Sequence, residues 1–375
     1  MARVVRRSAG SSAPRSEDVA RVAGVSRKTV SRVLNNEPYV SDEVRRRVLE
    51  AAEELGYRLN HAARALASGR NRSIGVVALG TAGYGTASLL VGIEKAVRDA
   101  GYALRVVNTA DGDPEGIAGA VMSLLEQGVD GVVVSEPIVE GEVSIRVDVP
   151  VLFLGAPPAF TAARTLSVGV GAYELARAAT DHLLDLGHAT VHHLAGPGRW
   201  YASQDRLKGW RAALAARGAH EPPVIEGDWS PASGYAAGGQ LAADSSVTAV
   251  FVAGDDMAIG LIHALREAGR RVPEDISVVG FDGNPVFAYV TPALTTVRQP
   301  FDAAAREGIR LLVHAIQEPE TGLPSASEPP VELVVRGSTA PPPTRKATAR
   351  GRRTASRSSG SAHAPPAGDG PPTTD

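Results

Sequence analysis

From Ser73 onward the chain alternates short, largely apolar runs with stretches of helical period, and this alternation constrains the fold more than any other feature. The run at 74–78 reads as a buried strand, those at 104–108, 131–135 and 149–154 as further strands, and 166–170 leads towards a crossing. Helices are predicted between them at 88–100 and 113–127, the second opened by Asp113-Pro114 because proline suits a first helical position. A second set follows: helix 173–186, strand 190–195, helix 204–217, strand 224–226, a helix around 235–242, strand 249–253, helix 257–268 and strand 277–281. Strands apolar along their whole length are buried on both faces, as in parallel sheets covered by helices. Two successive sets imply two α/β lobes, with a ligand cleft outside the carboxyl ends of the strands.

Residues 16–35, SEDVARVAGVSRKTVSRVLN, have a different period. They read as two short helices joined at Gly24. Ser16 is the expected cap of the first, with Glu17 and Asp18 in its first turn where negative charge suits the helix dipole. Ser26 caps the second, whose Val30, Val33 and Leu34 face inward. Arg27 and Lys28 stand on its first turn, where the dipole disfavours cations unless they meet an anion. That is how a helix-turn-helix meets DNA; a helical hairpin with a solvated charged face is the plainer alternative. After a loop at Asn36-Glu37-Pro38-Tyr39, Ser41 caps a third helix. Val44, Val48, Ala51, Ala52 and Leu55 lie along one face of it, Gly56 ends it, and Arg45, Arg46 and Arg47 lie on or near its outward side.

The charge distribution agrees. The 375 residues carry a formal net charge of -2. Residues 1–72 hold roughly +7, residues 73–335 roughly -14 and the remainder roughly +5. A basic head on an acidic body suggests that the head alone meets a polyanion. The chain has no cysteine, which excludes disulfide and thiolate chemistry and fits a reducing compartment. No run reaches the roughly 18–20 apolar residues of a membrane helix, and the first fifteen residues have no apolar core of a secretory signal. The protein is therefore expected in the cytoplasm, at the nucleoid, without a membrane partner.

The head resembles the DNA-binding headpiece of the lactose-repressor/galactose-repressor family. Asp18-Val19-Ala20, Ala23-Gly24-Val25-Ser26, Thr29-Val30-Ser31-Arg32-Val33-Leu34-Asn35, Val40-Ser41 and Gly56-Tyr57 carry the resemblance. It continues through Leu186-Gly187-His188, Leu194-Ala195-Gly196-Pro197, Arg206 with Gly209-Trp210, Gly227-Asp228-Trp229-Ser230, the run 275–282 and Pro292-Ala293-Leu294-Thr295-Thr296-Val297, and so covers roughly residues 16–337. It implies a small all-α helix-turn-helix headpiece and a two-lobed α/β sensor with parallel sheets, like that of periplasmic binding proteins. The expected division is a disordered basic start (1–14), the headpiece (15–59), a hinge helix and linker (60–71), the sensor and dimerisation domain (72–337) and a disordered tail (338–375).

The resemblance also implies roles. Arg27 and Lys28 match the main base-reading pair, and either side chain can satisfy guanine O6 and N7. Arg32 matches a further groove or phosphate contact. Ser26 joins the DNA set, and Thr29, Ser31, Asn35 and Tyr39 suit phosphates better than bases. Asn60 caps the hinge helix, Ala62 and Ala63 allow two copies to approach, and Leu66 matches a leucine that wedges a minor-groove base step. A plain linker with an incidental leucine is the alternative. In the cleft, Arg206 matches a ligand-clamping arginine and Phe301 an aromatic near the lobe crossing. Asp282 and Asp255 follow strand ends, where a carboxylate can accept sugar hydroxyls, and Trp229 offers a flat face to a pyranose ring. For Arg206 and Asp282 a structural ion pair is the alternative.

Two positions depart from the family. Gly254 stands where an asparagine is common and Gly155 where a polar side chain is common. Each removes a hydrogen-bonding group and enlarges the cavity, so the expected effector is different from or larger than a simple hexose, such as a glycoside or disaccharide. The tail lacks the leucine heptads of tetrameric members, so a homodimer on an inverted-repeat operator is expected.

No cofactor, metal or enzymatic activity is expected. There is no P-loop, HExxH or nucleophile elbow. His192 and His193 are neighbours in a strand and so face opposite sides. The reading is a transcriptional regulator of repressor type, switched by a carbohydrate-like effector. The alternatives are a sugar-binding transport protein and a sugar- or nucleoside-processing α/β enzyme with a DNA tether.

Overall fold

The structure, a computed structural model, describes residues 14–34, 38–57, 71–80, 83–109, 116–139, 146–155, 161–169, 171–325, 330 and 332–344. Asn35, Asn60, Ala63 and Leu66, the hinge helix and residues 1–13 and 345–375 lie outside the described residues. The expected start of a disordered tail at 338 is corrected: Ser338 is buried, its hydroxyl donates to the Val278 carbonyl at 2.6 Å and accepts the Thr295 N–H at 2.8 Å, so the chain stays bound to the second lobe past that point.

The headpiece has three helices: α1 (Ser16–Ala23), α2 (Arg27–Leu34) and α3 (Asp42–Glu54). Val19, Ala20, Ala23, Val30, Val33, Val48, Ala51 and Ala52 form their common core, against which Val25, Leu34, Val40, Val44, Leu55 and Tyr57 pack. The turn needs Gly24, whose φ is 64°. The Ser26 hydroxyl accepts the Thr29 N–H at 3.1 Å and the Ser41 hydroxyl accepts that of Val44 at 3.4 Å, which are the two predicted caps. Ser16 is not a cap. Arg15 holds that position and donates its N–H to the Asp18 carboxylate at 2.9 Å, so an acid three residues on does the work expected of a serine hydroxyl.

The first lobe contains β1 (Ser73–Leu79), α4 (Tyr84–Asp99), β2 (Ala103–Thr109), α5 (Gly116–Glu126), β3 (Gly131–Val134), β4 (Arg146–Leu154) and β5 (Thr161–Val168). Its strands are all parallel, in the order β2-β1-β3-β4-β5. The second lobe contains α6 (Ala172–Asp185), β6 (His192–Ala195), α7 (Tyr201–Arg217), β7 (Ile225–Glu226), α8 (Pro231–Ala243), β8 (Ala249–Val252), α9 (Asp255–Glu267), β9 (Ser277–Asp282) and β10 (Thr295–Arg298). Its sheet runs β11-β10-β9-β8-β6-β7, parallel except for the edge strand β11 (Glu332–Val334).

The lobes are interlaced rather than successive. After β10 the chain returns to the first lobe as α10 (Phe301–Gln317), a helix absent from the sequence reading. Ala305, Ile309, Leu312 and Ile316 from α10 join Ile74, Val76, Ile93, Leu152 and Leu154 in one core. The chain then goes back to supply β11. Within the second lobe α8 and α9 nearly touch. A Cβ on Gly260 would lie 1.9 Å from the Pro231 carbonyl, and one on Gly234 2.0 Å from that of Met257. His193 is buried between the rings of Trp210 and Phe251, at centroid distances of 5.3 and 4.7 Å.

Candidate functional site

The carboxyl ends of β3, β4, β5, β8 and β9 face the gap between the lobes, with the start of α7 alongside. The gap holds a cavity of about 460 Å³, within the range of roughly 300–1,000 Å³ of small-molecule sites. Its floor and walls carry Arg206, Trp229, Asp282 and Phe301, and both departing glycines, Gly155 and Gly254.

Arg206 projects from the first half of α7 and is only 6% exposed. Its guanidinium lies 3.9 Å above the Phe281 ring and 5.1 Å from the Trp229 ring centroid. Nη1 donates to the Ala253 carbonyl, Nη2 lies 3.7 Å from Asp282 Oδ1, and Nε has no partner. Asp282 also accepts from Gln299 Nε2 at 2.6 Å. Burial pushes its carboxyl up to about 6, against the pull of Arg206.

Trp229 (φ 73°) and Asp282 (φ 113°) are two of four described non-glycine residues in the positive-φ region. Backbone strain of this kind gathers at functional sites. The Trp229 ring rests on the Gly196-Pro197-Gly198 turn. A Cβ at Gly196 would meet the indole at 2.1 Å, so this turn is a seat for the ring.

Asp255 does not line the cavity. Its Oδ1 accepts from Thr296 Oγ1 at 2.7 Å and its Oδ2 from the Asn284 N–H at 2.8 Å, both away from the cleft. The first turn of α9 presents Asp256 instead. Asp255 ties that helix to the loop after β9 and to strand β10 itself, and burial raises its pKa well above the usual carboxylate range.

The sequence reading missed Tyr84, Glu136, Trp200, Asp256 and Gln299, all in the cavity wall. Tyr84 meets Phe301 edge-on, with centroids 6.2 Å apart. Trp200, 3% exposed, stands T-shaped to Trp229 at 5.6 Å. It enters a core of first-lobe residues that includes Leu79, Ile117, Val134 and Phe153. Its backbone bridges to Ile138, reinforced by Val139 N–H to the Arg199 carbonyl at 2.8 Å. Glu136 follows β3. Burial drives its carboxyl up to about 7, with Thr86 holding it by a hydrogen bond. Glu136 Oε2, Trp200 Nε1, Arg206 Nε and Trp229 Nε1 are all buried without a protein partner. Such atoms are costly unless something satisfies them.

On the headpiece, Ser26, Arg27, Lys28, Ser31, Arg32 and Tyr39 are exposed and Thr29 is half-buried. Arg27 Nη1 pairs with Glu17 Oε1 at 2.7 Å, so α1 steadies this side chain on α2.

Comparison with known proteins joins the two regions. The profile described as bacterial regulatory proteins, lacI family, matches residues 17–60, and that of a periplasmic binding protein-like domain matches 180–339. The HTH-type transcriptional regulator CelR of Thermobifida fusca is 35% identical over 315 residues, which cover 81% of this chain and 92% of CelR. The chain belongs to the lacI family. The lactose operon repressor of Escherichia coli (strain K12) is 33% identical over 339 residues, covering 89% of this chain and 92% of the repressor. Among solved structures of the family, a lac repressor dimer bound to operator and the anti-inducer ONPF has a TM-score of 0.70. It is 31% identical and covers 86% of this chain and 98% of its own. A CelR–cellobiose complex has a TM-score of 0.62, with 32% identity over 87% of this chain and 99% of that one. The lacI-family assignment makes this protein a DNA-binding transcriptional regulator with a helix-turn-helix head and a two-lobed sensor. Among the described residues no helix is long and apolar enough to cross a membrane.

Proposed function

We propose that this regulator is a cytoplasmic, non-enzymatic repressor that binds an inverted-repeat operator as a homodimer and is switched by a carbohydrate-like effector in the interlobe cleft. The single observation that supports the effector class is the cavity wall itself. Two indole rings set edge to face, a guanidinium and buried carboxylates surround four polar atoms that lack partners. A polyol offers donors, acceptors and flat C–H faces together. Asp282, Arg206, Trp229 and Phe301 hold it, and Gly155 and Gly254 leave room for more than one ring. The solved CelR–cellobiose complex is a relative with a disaccharide bound.

On DNA, Arg27 and Lys28 read base edges, while Ser26, Thr29, Ser31, Arg32 and Tyr39, with Asn35, anchor phosphates. Asn60, Ala63 and Leu66 serve the hinge in the minor groove. Effector binding changes the lobe geometry and so the spacing of two hinges, a coupling of about 1–3 kcal/mol.

The test is selection of duplexes from a random pool by the purified full-length protein, repeated with candidate disaccharides. Enrichment of one inverted repeat, altered by a disaccharide, is expected. No preference over scrambled competitor at moderate salt, with or without sugars, sinks the reading.

A further inference from the structure

Carboxylates outnumber cations around the cleft. Glu136, Glu174, Asp205, Asp256 and Asp282 line it, and Arg206 is the only cation among the described lining residues. Two of the acids count for little: Asp205 is paired with Lys208 at 2.8 Å, and Glu174 is exposed at the rim. The deep ones are Glu136, Asp256 and Asp282. Arg206 is already engaged by Asp282, the Ala253 carbonyl and the Phe281 ring, so it has little charge to offer an incoming anion.

Glu136 differs from the others. It sits on the first-lobe wall, opposite the Arg206–Asp282 pair, and although Thr86 bonds the carboxyl, its Oε2 is buried without a partner. The Trp200 and Trp229 N–H groups are buried without acceptors in the same cavity. A ligand that fits must give a donor to Glu136 and acceptors to the two indoles. A sugar hydroxyl does both, and an amine satisfies Glu136. A phosphate or carboxylate only accepts, and above about pH 7, where Glu136 gives up its proton, it sets a second negative charge beside that carboxylate where little water screens the repulsion.

Resting on the carbohydrate reading above, we propose that the cleft takes neutral or amine-bearing sugars and excludes phosphorylated and acidic ones, with Glu136 as the residue that determines this selectivity.

The experiment is calorimetric titration of the full-length protein with matched ligands at pH 8, where Glu136 is mostly ionised. Trehalose, cellobiose and maltose are each compared with their 6-phosphates, and glucose with glucosamine and glucuronic acid. The anionic member of the best-bound set is expected to bind at least about tenfold more weakly. Glu136→Gln should narrow that ratio several-fold, and Glu136→Asp should largely keep it. Because the readout is a ratio within one variant, general loosening of the cleft does not imitate it. Equal binding of an anion and its parent, or an unchanged ratio in Glu136→Gln, overturns the proposal while leaving the carbohydrate reading intact. No binding by either set overturns both.

Discussion

Ile138 and Trp200 form an antiparallel bridge that joins the lobes away from their three chain crossings. Trp200 belongs by sequence to the second lobe, yet its indole is packed among Leu79, Ile117 and Phe153 of the first. The arrangement clasps the lobes at the mouth of α7, the helix that carries Arg206. Trp200→Ala is expected to destabilise the protein by about 3–5 kcal/mol, the usual loss for a buried tryptophan. Urea unfolding followed by circular dichroism measures it. A loss under about 1 kcal/mol would mean that the clasp contributes nothing.

Glu136 makes the empty sensor sensitive to pH. Its folded pKa is raised to about 7 by burial, above the ordinary value of 4.5. The folded state therefore holds the proton more tightly than the unfolded chain. Stability from this group is fully present below about pH 4.5 and is lost as pH rises through 7. His193, lowered to about 4 by burial, works the other way and loses stability as pH falls below 6.5. The informative quantity is the difference between wild type and Glu136→Gln in melting temperature. It should shift in favour of the variant as pH rises from 5 to 8, and a flat difference would refute the assignment.

Arg27→Ala should relax base preference in each half-site by about 1–3 kcal/mol. Lys28→Ala should do so at the neighbouring position. Competition between the selected operator and single-base variants in gel shifts reads this directly. A uniform loss across all sequences would make Arg27 a phosphate contact instead.

Arg206→Ala should leave operator affinity within a few-fold and abolish the effector response. It leaves Asp282 buried without its cation, so Arg206→Lys is the companion variant that keeps the charge but loses the flat guanidinium over Phe281. Operator release titrated with the effector distinguishes the two. A normal response in Arg206→Ala would remove this residue from the ligand site.

Local pattern made most of the architecture legible. The apolar runs located β1 to β4, and the serine caps at Ser26 and Ser41 fixed two headpiece helices. α10 was legible in principle, since Ala304, Ala305, Ile309, Leu312, Ala315 and Ile316 follow helical spacing. Its destination was not, because a period does not say which sheet a helix covers. Asp255 and Asp256 were inseparable for a similar reason. They stand about 100° apart on one helix, and only the tie of Asp255 to Thr296 and Asn284 decides which one faces the ligand. Trp200 and Glu136 carry no local motif. Their place in the site depends on a bridge between strand ends more than sixty residues apart.

The return of α10 imposes an order on synthesis. A ribosome delivers β1 to β5 early, but the hydrophobic face they share stays open until Ile309, Leu312 and Ile316 leave the exit tunnel. By then every element of the second lobe except its edge strand β11 has already emerged. The half of the sensor that is made first is thus the last to close. A growing chain arrested just after β10 would display a half-covered sheet face, with α4 in place beside the gap left for α10, to chaperones and proteases, against the usual N-terminal-first sequence of domain folding.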